Sequence, residues 1–263
     1  MKRNGIFWGA LLILLGGLML LNAMGVTLPG GIYPRELFWP LFLVMLGLWF
    51  VLEVFTFKRP EDETLAVELR GVKQAEIKLN HGAGSLTIAG GADAGMLLNG
   101  SFLGGVDESI HYEGEKAEVR LRAQPRGPIF VGQASPNDWS LRLTDAIPLE
   151  LSLNTGASES TIDLSAVRVS ELKLSTGASS TRLTLPAAGQ TSARISAGAA
   201  SLDLTIPAGT AARLRIRSGV GSIEVDRARF PKVDGAYQSP DYESAANRVD
   251  VNISAGVGSV TVK

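Results

Sequence analysis

The sequence predicts a two-helix transmembrane hairpin followed by an all-β domain of the β-solenoid, or parallel β-helix-like, class with 21-residue coils. Three observations predict it. Two long apolar runs occupy the first 57 residues. A glycine-bearing unit, G-A/V-x-S or close to it, then recurs at Gly156, Gly177, Gly198 and Gly219, 21 residues apart each time. Segments between these glycines alternate apolar and polar residues, the period of a half-buried strand. Self-similarity at a fixed interval of this size marks a repeat architecture.

The apolar runs come first along the chain. Residues 5–26 carry no charge, and a helix of that length rises about 33 Å, enough for a bilayer core. Residues 37–55 carry one charge, Glu53, near the end. Pro40 falls in the first turn of this second helix, where its missing N–H costs little. Trp8, Trp39 and Trp49 suit the bilayer interface. Lys2, Arg3, Lys58 and Arg59 flank the pair, against Arg35 alone in the connection. That bias places both termini and the β domain in the cytoplasm, on a multi-pass membrane protein. Gly5 and Gly9 have the G-x-x-x-G spacing that lets helices approach closely, which makes them candidate helix-packing positions and leaves room for a homo-oligomer. Residues 58–68 read as a charged linker.

The β domain spans 69–263. Ile162 and Leu164 recur as Leu183 and Leu185, then as Leu204 and Ile206. Leu172 and Leu174 recur as Ala193 and Ile195, then as Leu214 and Ile216, and as Val251 and Ile253 after an insertion. An earlier copy begins at Leu79. Leu141 and Leu143 stand one period before Ile162 and Leu164, so a coil starting near Ser135 is expected to join the stack. Pro186 and Pro207 mark corners, since proline cannot donate to a ladder. One coil buries about four aliphatic side chains, roughly 1.5–3 kcal/mol each. Ordering its backbone costs on the order of 1–2 kcal/mol per residue. A coil therefore needs neighbours. The insertion at about 227–249 is expected to fold over the open end of the stack. Residues 89–134 show no period, apart from one strand at 116–124.

Little in the sequence suggests chemistry. The net charge of −1 gives no field toward nucleic acid. Cysteine is absent, which removes disulfides, thiolate metal sites and cysteine nucleophiles. His81 and His111 lack ligand partners at a recognisable spacing. The glycines at 82–84 lead into a strand, whereas a phosphate loop must open a helix. No catalytic, cofactor-binding or metal-ligating residue is expected, and no cofactor. Lys173, Arg194 and Arg215 are 21 apart, so regular stacking puts them in one outward row at layers about 4.8 Å apart. Such a row is a wet stripe relieved by nearby acids, or a dock for an acidic partner or anionic lipid. Phe230, Tyr237 and Tyr242 in the insertion are a second candidate interaction surface, or the core of an end cap.

The N-terminal pair, with Trp39-Pro40 to Gly47 as its most specific part, resembles the membrane region shared by LiaI and LiaF proteins of bacteria. The β domain resembles the toast-rack or adhesin-like β domains of LiaF-like proteins, through its "TGAS", "SAGAAS" and "SGVGS" units and the stretch 235–262. The resemblance implies a membrane-bound regulator of the response to cell-envelope stress and cell-wall antibiotics. Such regulators act on a two-component sensor histidine kinase or another membrane partner. It implies no catalytic residues. A structural or adhesin-like module at the cell surface is the alternative reading. An enzyme would need convergent acids and bases in a groove, and no such pattern is present.

Overall fold

The structure is a computed structural model that describes residues 2–25, 34–55, 62–124 and 137–263. The chain divides into two units, Met1–Arg59 and Pro60–Lys263. In the first, α1 (Lys2–Ala23) and α2 (Pro34–Phe55) pack on each other, with Pro40 inside α2. Consecutive side chains on α1 are exposed, Leu12 to Leu14 and Met19 to Leu21, as are Trp39, Leu43, Val44 and Leu48 on α2. The apolar surface thus runs around the helices and is not one stripe. Counting only the described residues, no helix is long and apolar enough to cross a membrane. Val26 and Lys58 to Arg59, part of the predicted span and flanks, lie outside the described residues.

The second unit is mostly β. Its strands are β1 (Asp62–Glu68), β2 (Gln74–His81), β3 (Gly84–Gly90), β4 (Met96–Leu103), β5 (Val106–Glu113), β6 (Lys116–Ala123), β7 (Trp139–Leu143), β8 (Leu149–Thr155), β9 (Ser158–Asp163), β10 (Val169–Thr184), β11 (Gln190–Thr205), β12 (Ala211–Val225), β13 (Lys232–Val233), β14 (Ala236–Gln238) and β15 (Arg248–Val262). The parallel pair β10–β11 keeps a register of one period, Leu172 beside Ala193 and Leu183 beside Leu204. Each long strand continues past its marker glycine, and there the core-facing residues change parity. In β10, Leu172 and Leu174 are buried before Gly177, and Thr181 and Leu183 after it. Both halves of the strand can therefore face one interior.

Two buried columns follow. One runs Ile77, Leu151, Leu172, Ala193, Val251, Leu214. The other runs Leu141, Ile88, Ile162, Leu183, Leu204, Val262. Leu164, Leu185 and Ile206 are each at most 1% exposed, as the 21-residue reading requires.

The order of layers departs from the order of the sequence. β15 lies between β11 and β12, pairing in parallel with both. β2 and β3 likewise lie between the pair β6 and β7 and the pair β8 and β9. Ile88, and not Leu141, is therefore the neighbour of Ile162. The flanks are antiparallel: β1 pairs with β4, β4 with β7, β5 with β6, and β12 with β14. A uniform 21-residue coil running through the whole unit is thus corrected to a parallel centre with antiparallel margins. The physical reason is that an end layer lacks a neighbour, and a hairpin supplies its hydrogen bonds at once. Part of the predicted linker, Asp62–Glu68, is strand β1. The segment without a period holds β4, β5 and β6. Residues 125–136, including Ser135, lie outside the described residues.

Candidate functional site

Layer order decides what the predicted basic row becomes. Lys173 stands beside Arg194, but the next position is Asn252, and Arg215 lies beyond it. The continuous row of three cations is thereby corrected: the returning β15 puts a neutral residue inside it. Each cation also meets an acid. Lys173 and Arg194 both contact Glu171, at 3.3 and 2.8 Å, and Arg215 contacts Asp250 at 3.0 Å.

Two residues earlier on the same face runs a ladder that sequence reasoning missed. Glu118, Glu76, Glu150 and Glu171 occupy successive register positions. Like charges at adjacent strand positions repel, and interleaved cations answer them. Lys78 Nζ lies 2.8 Å from both Glu76 and Glu118, and Lys116 bridges Glu76 and Glu150 at 3.6 and 3.5 Å. The Lys78 hydrogen bond holds the Glu76 and Glu118 carboxyls below their ordinary range, and Glu118, then Glu76, raise the Lys78 ammonium. The recurring triplets Glu76-Ile-Lys78, Glu118-Val-Arg120 and Glu171-Leu-Lys173 carry the signal in the sequence.

The insertion closes over the first half of β12. β14 pairs with it through Leu214 and Tyr237 and through Arg213 and Gln238. Phe230 is fully buried, Tyr242 is buried and Tyr237 is half-buried. The Arg213 guanidinium lies 4.2 Å above the Tyr242 ring, donates to Gln238 at 2.7 Å and pairs with Glu243. Arg229 donates to the carbonyls of Ile206, Pro207 and Thr210, at 2.6, 2.5 and 3.2 Å. Of the two helix-packing candidates, both on α1, Gly9 has open space where a side chain would point.

A groove of about 750 Å³ follows the marker glycines, bordered by Asn80, Asn154, Ser175 and Ser196. Its wall includes Gly82, Gly156, Gly177 and Gly198, which belong to a column that continues through Gly256 to Gly219, each backbone close to the next. At the Gly82 end, buried His81 donates its Nε2–H to the Asn137 carbonyl at 2.7 Å and packs 5.2 Å from Trp139. Burial lowers the His81 imidazole below its ordinary value. Its Nδ1 and the Thr155 hydroxyl have no hydrogen-bond partner among the described residues. Among those residues no three His, Asp or Glu side chains gather where they could hold a metal ion.

Residues 56–206 match the family model described as the N-terminal domain of toast_rack, DUF2154, and residues 6–51 match the LiaI-LiaF-like transmembrane region. No curated protein matches the chain. A solved structure of a candidate cell adhesion protein from Clostridium sporogenes is similar, with a TM-score of 0.71 and 24% identity over 78% of this chain and 99% of that one. That likeness is one of fold. A candidate adhesin from Bacteroides fragilis aligns over 77% of this chain and 97% of its own, with a TM-score of only 0.27 and 7% identity.

Proposed function

We propose that this chain, which belongs to the family of toast-rack N-terminal domains, is a membrane-anchored, non-enzymatic regulator of the response to cell-envelope stress. Its LiaI-LiaF-like region associates it with the membrane. In this reading α1 and α2 form a hairpin of two spans, both termini and the solenoid-like β unit are cytoplasmic, and the partner is a membrane sensor kinase. The observation that carries it is the joining of two unlike surfaces in one chain. Helices with consecutive exposed apolar side chains, as at Leu12 to Leu14 and Met19 to Leu21, suit lipid. The β unit carries ladders of paired charges on one face, and among its described residues no three His, Asp or Glu side chains gather where they could hold a metal ion. Neither matched family is an enzyme family. A rigid domain of that kind acts by contact.

A fluorescent protein fused at the C-terminus is expected to glow, and alkaline phosphatase fused there to stay inactive. Deleting the chain is expected to change the output of an envelope-stress reporter when cell-wall antibiotic is added, and tagged chain is expected to co-purify a sensor kinase from solubilised membranes. Active phosphatase at the C-terminus would instead place the β unit outside and favour an adhesin-like module. An unchanged reporter would end the regulatory reading.

A further inference from the structure

β12 is the last layer, and the cap covers only its first part. The antiparallel partner β14 reaches Arg213 and Leu214; from Arg215 onward, among the described residues, β12 pairs on one side alone, with β15. The backbone groups pointing the other way form an open edge. No proline or lysine guards residues 215–226. The apolar content rises toward this edge: the outer-face position that is Ala178 and Ala199 in inner layers is Val257 and then Val220, 57% and 71% exposed. Ile223, aligned with buried Val260, is 39% exposed because no described residue lies over it.

We infer that this edge is a self-association surface, on which β12 pairs antiparallel with β12 of a second copy about a two-fold axis between Val220 and Gly221. Charge supports that register. Arg217 and Glu224 are symmetric about this point, and neither has an ion-pair partner among the described residues. Pairing sets Arg217 of one copy opposite Glu224 of the other, twice, and Arg215 opposite Asp226. The change of parity at the marker glycine supports it too. In an uninterrupted strand, an axis midway between two residues would set a core-facing side chain against a solvent-facing one, because residues opposite each other share a face. Here the core-facing residues are even-numbered before Gly219, as with Ala212 and Leu214, and odd-numbered after it, as with Ile223 and Val225. Ile216 therefore meets Val225 of the second copy, and Ser218 meets Ile223, on the core side. The Val220 and Val257 side chains of the two copies form one apolar patch on the outer side. The contact is isologous and closed, so it stops at a dimer. It would serve a regulator or an adhesin alike.

The test uses the full chain in detergent micelles, with mass determined by light scattering across a dilution series. The wild type is expected to show a concentration-dependent dimer. Arg217→Glu puts like charges opposite each other at two symmetric places and is expected to weaken the dimer about ten-fold or more. Adding Glu224→Arg restores opposite charges and should restore the dimer. Val220→Cys, in a chain otherwise free of cysteine, should form an intermolecular disulfide under mild oxidant. A wild type that stays monomeric at every concentration overturns the proposal. So does a dimer indifferent to Arg217→Glu, or a charge-swapped double variant that fails to recover.

Discussion

Replacing Gly177 by alanine should destabilise the β unit far more than the same change at Gly82, although the two glycines hold equivalent places in the repeat. A Cβ built on Gly177 would lie 2.9 Å from the backbone oxygen of Gly156. Ordinary contact needs about 3.5 Å or more, and the obstacle is main chain, held by ladders on both sides. The layers must part locally, an overpacking cost of about 1–3 kcal/mol. Gly82 begins the column, and a Cβ there meets nothing within 4 Å. Neither residue has a positive φ, so both substitutions reduce the freedom of the unfolded chain equally, by about 0.4–1 kcal/mol. Their difference therefore isolates the close approach. For a unit of this size, about 2 kcal/mol lowers the thermal midpoint by roughly 4–8 °C. Urea or thermal unfolding of the full chain in detergent, followed through buried Trp139, would read it. If Gly177→Ala is as stable as Gly82→Ala, steric contact is not why glycine occupies the column.

Three further outcomes follow from the same geometry. His81 titrates below its ordinary value of 6.5 because it is buried, so the unfolded chain binds the proton more readily; stability should be full above about pH 6.5 and fall as the pH drops toward the folded value, and His81→Gln should flatten this part of a thermal-midpoint-against-pH curve. Glu76 is held below its ordinary 4.5 chiefly by Lys78; its contribution is present above that value and lost as the pH falls through the folded one, so Lys78→Met should move the acid-unfolding midpoint upward, and less so at high salt. Arg229→Ala strips the Ile206, Pro207 and Thr210 carbonyls of a charged donor; a loss of about 1–3 kcal/mol is expected, with earlier proteolytic cleavage within 227–247 as the local signature.

The parallel centre was legible because its evidence is local and repeated. Leu164, Leu185 and Ile206 share a face at a constant interval, and the marker glycines recur at the same step. The antiparallel margins were not. β4 and β5 carry no copy of the unit, and their pairing depends on which end strands lack a neighbour. The basic row failed for a related reason: the sequence spacing of Lys173, Arg194 and Arg215 is perfect, yet Asn252 interrupts it. The glutamate ladder was visible only once β2, β6 and β8 were known to adjoin, since Glu76 and Glu118 are far apart in the chain.

By itself the sequence determined that equivalent aliphatics stack and that the apolar helices form a separate unit. Tertiary structure alone decided the order of the layers. The Gly256 unit offers the same alternation and the same small residue as its relatives, so it fits equally well between any two of them. Only the path and packing of the connection 226–247, buried through Phe230 and Tyr242 over the first half of β12, return the chain between β11 and β12. That choice leaves the second half of β12 as the open edge, because hydrogen bonding between layers is the same whichever neighbour supplies it, while cover for the last layer must come from outside the repeat.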